Sequence, residues 1–493
     1  MTGSSTSGGG LTTPRIVFLV VAAAAPMAAI VGLVPLQYAI GNGAGAPAAF
    51  VIAGLVLLCF GVGYAAMSRR ITNTGGFYTF ISRGLGRPQG VAGALVALVA
   101  YTAVGLQLVG GFGYFTQLVL AQQLGVTLPW ELYSALGVAG AAVLTYRRVD
   151  LSARVLGLLM VGEIGVLLVL DVAVVGHRGA AALPLASITP STALTGLAVA
   201  SVFAFSAFIG FESAALYGEE SRNPARTIPM ATYWALAVIT VFYGLTSWIG
   251  VGAVGADQVR DVAGQQLGNY FFTLNDQYVG TVMTTIMSVL MCTSLFASLV
   301  AVQNAASRYI YALGRERVLP RAVGRTHAVH GSPARASLVV TAVNVVVPAI
   351  YALAGLDPYL NLATSMGGLG VVGIIVIQAA AAASVIGFFR GRADRHWWRT
   401  LVAPGIGLVG LVVAVVLIVA NFSLVTGTDS AIVNGLPWLI VIAAAGGLGY
   451  ALWLRGNRPE IYAGLAAESH VRGEPAMSEA ATAPETATAP EPA

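Results

Sequence analysis

The residues best placed to do chemistry lie in FAFSAFIGFESAALYGEESRNPARTIP, positions 203–229, where an apolar helix is interrupted at Ile209-Gly210-Phe211 and then meets a carboxylate, Glu212. In hydrocarbon an unpaired backbone group costs several kcal/mol and a charged side chain at least about 2.5 kcal/mol, so both features are expected to line a protein cavity. A second interruption is expected in AAAAPMAAIVGLVP, positions 22–35, because Pro26 has no N–H and its ring clashes with the preceding turn. Two such breaks suit a zwitterion. Free amides at Met27, Ala28 and Ala29 offer the positive end of a helix dipole to a carboxylate. Carbonyls freed at Ala23 to Ala25 and at Ser206 to Ile209 can accept from an ammonium group. The candidate substrate-binding residues are Ala25, Pro26, Met27, Ala28 and Ala29 with Phe205, Ser206, Ala207, Phe208, Ile209, Gly210 and Phe211.

Alone, Pro26 reads as a plain kink and Gly210 as a close helix-packing position. Paired at matching depth in two halves of a chain, they read as a binding site. Glu212, beside the second break, suits a cap on the inner half-helix, where a carboxylate accepts backbone N–H groups.

Other chemistries lack their groups. The five histidines, His177, His327, His330, His396 and His470, fall in loops or the tail, which leaves catalysis without a base near a nucleophile. Cys59 and Cys292 stand singly in apolar runs and read as buried thiols rather than a disulfide or metal site. All 25 basic residues are arginine, so no mechanism can use a membrane-embedded lysine. No metal, cofactor or nucleic-acid partner is expected; the expected partners are a small-molecule substrate and the lipid bilayer, and the sequence leaves the oligomeric state open.

The elements that must hold these residues are membrane helices. The composition is 57% hydrophobic and 9% charged, against about 25% charged in a soluble domain. Spans of about 20 apolar residues match the hydrocarbon thickness and are expected near 16–41, 46–68, 91–122, 129–146, 152–176, 194–218, 232–255, 276–312, 336–354, 358–388, 400–422 and 434–455. That makes an all-α integral membrane protein of about 12 helices, with a transporter domain over 14–455. Arginines gather on the even-numbered connections and at both ends, while only Arg178 and Arg260 fall opposite, which predicts cytoplasmic N- and C-termini in a multi-pass cell-membrane protein. Residues 1–13 read as a Gly/Ser/Thr tail without signal-peptide features, and 456–493, rich in Ala, Glu, Thr and Pro, as a disordered tail. The segment 71–90 suits a re-entrant or interfacial stretch.

Three segments carry a resemblance. GFESAALYGEESRNPARTIPMA (210–231), ITNTGGFYTFISRGLG (71–86) and NAASRYIYALGRERVLP (304–320) resemble, in turn, the helix 6 signature, the stretch after helix 2 and the helix 8–9 connection of the amino acid-polyamine-organocation superfamily. The resemblance covers about 14–455 and implies a five-plus-five inverted repeat with discontinuous helices 1 and 6, and secondary transport of amino acids or related amines. On that frame repeat one is about 14–176 and repeat two about 194–388, with extra helices at 400–455.

Departures from the family pattern sharpen the expectation. Ala25-Pro26-Met27 replaces the Gly-x-Gly type break of helix 1, and Ser206 stands where exchangers of guanidinium substrates carry a stacking Trp. With Phe205, Phe208 and Phe211 nearby, a small or moderately apolar amino acid is the preferred ligand. Glu163, in LLMVGEIGVLL (158–168), matches the helix 5 position where some proton-coupled relatives place lysine. It could carry the coupling proton, ligate sodium with Ser294 or Ser298, or simply bond to neighbouring helices. Protonation of Glu212 would weaken an inner gate, at which Tyr101, with Thr102 and Gln107 beside it, is a candidate aromatic; a packing role for Tyr101 is the alternative. Glu219 and Glu220 read as structural partners of Arg222 and Arg226. The expected function is a proton-coupled amino acid permease working by alternating access, with a sodium gradient as the alternative driving force. A transporter of polyamines, ethanolamine or other organic amines is the rival reading, whereas a sensor would need an output domain and an enzyme a nucleophile–base pair.

Overall fold

The computed structural model describes residues 11–72, 76–147, 153–218, 221, 223–327, 330–466 and 470–471. In chain order its helices are α1 (Thr13–Ala23), α2 (Pro26–Ile40), α3 (Ala46–Ser68), α4 (Phe77–Leu85), α5 (Arg87–Leu124), α6 (Trp130–Arg147), α7 (Ala153–Arg178), α8 (Pro190–Leu194), α9 (Leu197–Ala207) and α10 (Pro224–Val254). These are followed by α11 (Val259–Gln266), α12 (Tyr270–Tyr278), α13 (Thr281–Arg315), α14 (Ala334–Leu353), α15 (Thr364–Phe389), α16 (Ala403–Ala420), α17 (Phe422–Thr426), α18 (Ala431–Asn434), α19 (Trp438–Asn457) and α20 (Pro459–Gly464). A two-residue antiparallel ladder joins β1 (Ile71–Thr72) to β2 (His470–Val471), a small departure from the expected all-helical fold.

Ten helical segments among the described residues are long and apolar enough to cross a bilayer, and α1 with α2, bent by 40°, forms an eleventh. The span expected at 129–146 is α6, whose 18 residues include Glu131 and Arg147 and fall below that standard. The span expected at 194–218 is two pieces: α9 stops at Ala207, and after a turn the chain continues as a 3-10 helix, Phe211–Gly218. α10 starts at Pro224, earlier than hydropathy alone predicts, because Pro at the first helical turn needs no hydrogen-bond acceptor.

Both helix breaks form for local reasons. Pro26 is the first residue of α2, and the chain reaches it through Ala25 in the left-handed conformation, φ 47°, ψ 73°. Gly210 has φ +113°, which only glycine adopts without strain, and a Cβ placed there would lie 2.8 Å from the Ala23 carbonyl oxygen. The two breaks therefore touch backbone to backbone. Around them α5 packs along α13 and α15, while α3 packs along α10.

The described residues of the segment 71–90 form β1, α4 and the start of α5, and α4 buries Phe77, Tyr78, Phe80 and Ile81. The tail expected to be disordered from 456 is packed through residue 466. Leu465 is fully buried beside Val91, Ala94 and Leu454. Arg87 clamps the tail, its Nε donating to the Leu465 carbonyl at 3.2 Å and its Nη2 to the Ala463 carbonyl at 3.1 Å. Glu316, which accepts from the Tyr78 hydroxyl, also accepts from the Ala466 amide. A few apolar residues with tertiary partners thus order a stretch whose composition reads as solvated. Residues 1–10, 472–493, Glu219, Glu220 and Arg222, and the roles expected of them, lie outside the described residues.

Two substitutions test the breaks. Gly210→Ala adds left-handed strain of about 1–2 kcal/mol and pushes on the Ala23 backbone, so it is expected to lower the melting temperature in detergent and abolish transport. Ala25→Gly removes a similar strain and adds about 0.5–1 kcal/mol of backbone entropy cost, so it should raise the melting temperature slightly, measured on the same purified protein.

Candidate functional site

The first turn of α2 carries three amides. Pro26 has none, Met27 N–H donates to Glu163 Oε2 at 3.1 Å, and Ala29 N–H returns to the Ala25 carbonyl at 3.0 Å. Ala28 N–H has no acceptor among the described residues. Glu163, buried on α7, thus takes an amide that sequence reasoning assigned to a substrate carboxylate. A carboxylate at a helix N-terminus satisfies an orphan donor and the local dipole together, and the side chain most able to do so comes from another helix.

Carbonyls at the breaks are also more occupied than expected. Ala24 O accepts from the Tyr243 hydroxyl at 3.1 Å. Ser206 O and Phe208 O accept from the Ile209 and Phe211 amides, at 3.1 and 3.2 Å, in tight 3-10 turns. The second break satisfies itself by tightening rather than by opening.

Glu212 follows the break two residues after Gly210. Its Oε2 accepts from Gly210 N–H at 3.0 Å, and its Oε1 accepts from the Tyr101 hydroxyl at 2.8 Å. The Tyr64 hydroxyl donates to the Glu212 carbonyl at 3.1 Å, and Tyr101 stacks on Tyr309 with centroids 5.5 Å apart. Tyr101 from α5, Tyr309 from α13 and Glu212 below the α9 break form one buried polar lock between three elements.

A cavity of about 100 Å3 opens between the breaks. Of the expected binding residues, Ala25, Ala28, Ala29, Ser206, Ala207 and Ile209 line it, and so does Ser298. Pro26, Met27, Phe205, Phe208, Gly210 and Phe211 do not. Phe211 packs edge-on against Phe60 at 6.1 Å, and Phe208 packs against Tyr243 at 6.4 Å. A break changes which way successive side chains point, so aromatics adjacent in sequence to the site face the core.

The walls instead come from residues that sequence reasoning passed over. Leu33, Leu108, Phe115, Phe203, Val302 and Tyr359 supply most of the bulk. Tyr359 donates to the Gly32 carbonyl at 2.7 Å and stacks on Tyr114 at 4.5 Å. Its position follows from Asp357, whose Oδ1 accepts from Tyr359 N–H and Leu360 N–H at 2.7 Å each. That Asp-Pro start signal is legible in sequence; the direction of the ring is not. Gln107, noted beside Tyr101, reaches across the cavity wall to Ser206, Nε2 to Oγ, at 3.4 Å.

Among the described residues no charged side chain lines this cavity. Glu163 and Glu212 flank it from behind the two breaks. Ser294, buried on α13, lies beside the Glu163 carboxyl without completing a hydrogen bond of good geometry, and Ser298 donates to the Ser294 carbonyl at 2.9 Å. Among the described residues no group of three or more His, Cys, Asp or Glu could hold a metal ion. A further buried acid, Asp171, which no sequence motif marks, sits nearer the C-terminal end of α7 and accepts from the Thr246 hydroxyl at 2.7 Å.

A discontinuous helix pair around an uncharged cavity is the architecture of a solute carrier, and comparison with known proteins agrees. The chain is 28% identical over 385 residues to an uncharacterized transporter of Mycobacterium tuberculosis, covering 77% of this chain and 80% of that one. It is 26% identical over 355 residues to a branched-chain amino acid permease of Lactococcus lactis, covering 68% and 73%. A branched-chain amino acid permease of Bacillus subtilis is 27% identical over 325 residues, 60% of this chain and just under two thirds, 65%, of the relative. The profile of the amino acid permease family matches residues 11–445, and the chain belongs to that family: a multi-pass membrane transporter rather than an enzyme.

Proposed function

We propose that this protein carries an apolar, branched-chain amino acid across the cytoplasmic membrane, coupled to protons, by alternating access around the cavity between Pro26 and Gly210. The observation that carries the reading is the cavity's lining: aliphatic and aromatic walls, no ionised side chain among the described residues, and a helix end beside it. Desolvated apolar surface contributes about 25 cal/mol per Å2 to binding, which favours Leu, Ile or Val over polar ligands. The substrate carboxylate takes Ala28 N–H at the α2 N-terminus, and Gln107, Ser206 and Ser298 supply the nearest polar side chains. The names of the two branched-chain permeases among the relatives support the same choice.

Proton coupling follows from one helix end serving two anions. Ionised Glu163 and a bound carboxylate both lie at the α2 N-terminus and repel each other; protonated Glu163 does not. Proton and substrate then bind together and leave together. The wider reading completes the frame: twelve spans counting α6, an inverted repeat of about 14–176 and 194–388, α16 and α19 outside it, and both termini cytoplasmic. Glu212 with Tyr101 and Tyr309 holds the inner gate.

Uptake of labelled leucine, isoleucine and valine into proteoliposomes, under imposed proton or sodium gradients, tests the assignment. Stimulation by a proton gradient is expected; movement of an amine but of no amino acid would sink it, and sodium stimulation alone would replace the proton. Glu163→Gln keeps an acceptor for Met27 N–H and should lose proton-driven accumulation while keeping leucine binding by scintillation proximity. Unchanged proton drive in that variant removes Glu163 from coupling. Tyr101→Phe frees one Glu212 oxygen and should raise leucine efflux several-fold at unchanged binding affinity; an unaltered efflux rate assigns Tyr101 to packing.

A further inference from the structure

The arginine-rich face carries a group of polar side chains that transport does not use. α3 ends at Ser68, and Arg69 and Arg70 follow it. Arg70 is paired, its Nη2 2.7 Å from Asp394 Oδ2, and Arg392 Nε lies 3.9 Å from the other oxygen of that carboxylate. Arg69 is different. Its Nε is sealed from water and has no hydrogen-bond partner among the described residues. Arg399, on the π-helical turn Trp397–Val402 that leads into α16, makes no side-chain hydrogen bond among the described residues, and its backbone N–H donates to His396 Nδ1. α3 packs against both the Trp397–Val402 turn and α10, which brings the two guanidinium groups within electrostatic reach of the Tyr233 phenol on α10, whose hydroxyl has no partner among the described residues either.

Three donors from three elements therefore converge without an acceptor among the described residues. Leaving a desolvated cationic N–H unmatched is costly, and the one described acid nearby, Asp394, is already held by Arg70. A tetrahedral, multiply accepting anion fits such a set, since guanidinium groups bind phosphate oxygens in a forked geometry. The surroundings say which source. Trp397 is 68% exposed and Trp398 44% exposed, at the very start of a membrane span. Tryptophan in that position marks the membrane–water boundary, and basic pockets between spans on such a face take anionic lipid head groups.

We propose that Arg69, Arg399 and Tyr233 form a binding site for the phosphodiester headgroup of an anionic phospholipid, with Trp397 and Trp398 lying along its glycerol–acyl boundary. Because α3 and α10 also frame the Gly210 break, lipid held there braces the arginine-rich end of both.

The test uses full-length protein in a neutral detergent, with phosphatidylglycerol, phosphatidylcholine or inorganic phosphate as probe. Native mass spectrometry is expected to show phosphatidylglycerol retained in preference to phosphatidylcholine, with affinity falling about fivefold for each arginine removed in Arg69→Gln and Arg399→Gln. Arg321→Gln, which removes an exposed charge from another connection on the same face, should leave retention unchanged. Arg399 is exposed, so its variant folds even where that of Arg69 does not. Equal retention of the two lipids by the native protein, undiminished phosphatidylglycerol retention in Arg399→Gln, or equal protection from thermal unfolding by inorganic phosphate would each overturn the lipid site.

Discussion

The structure depends on one backbone contact: Gly210 lying against Ala23 and Ala24. Neither broken helix keeps its regular backbone ladder through the break, and lipid offers no substitute for the partners lost. Each break is tolerated because protein surrounds it. Tyr243 takes the Ala24 carbonyl, Glu163 takes the Met27 amide, and the 208–211 turn takes carbonyls of the α9 end. Every element recruited to supply those partners, α7, α10 and the 3-10 run, is thereby fixed around the cavity.

That requirement also explains where the two acids sit. Both act on helix ends or turn amides rather than pairing with arginine, as Glu163 does on α2 and Glu212 on Gly210. An acid so placed is structural and responsive at once, because changing its charge changes the stability of the break it caps. Glu163 reaches the break from α7, and Glu212 links it to Tyr101 and Tyr309, so the two positions speak to different sides of the same cavity.

The arginine-rich face is built by opposite means. There the chain uses long-range polar clamps: Arg87 on the carbonyls of Ala463 and Leu465, Glu316 on Ala466, and the β1–β2 ladder. These hold the segment after α19 against α4, α5 and the end of α13. Loops at a membrane surface can afford charged and polar partners that the spans cannot.

The break at Pro26, the break at Gly210, the run of apolar spans and the family were all legible in order along the chain, because each is a local matter of a missing N–H, a missing Cβ, hydrocarbon thickness or a contiguous motif. Direction was not. Phe208 and Phe211 turned into the core while Phe115, Phe203 and Tyr359 formed walls, and Met27 gave its amide to Glu163, a partner 136 positions away. The tail to residue 466 likewise found order through Arg87, 376 positions from Ala463. Composition and spacing determined which residues had to leave regular helix and which stretches had to enter the membrane. Only tertiary packing decided which orphan donor met which acceptor, since at a break the backbone no longer dictates where side chains point and the nearest partner in space can come from any helix.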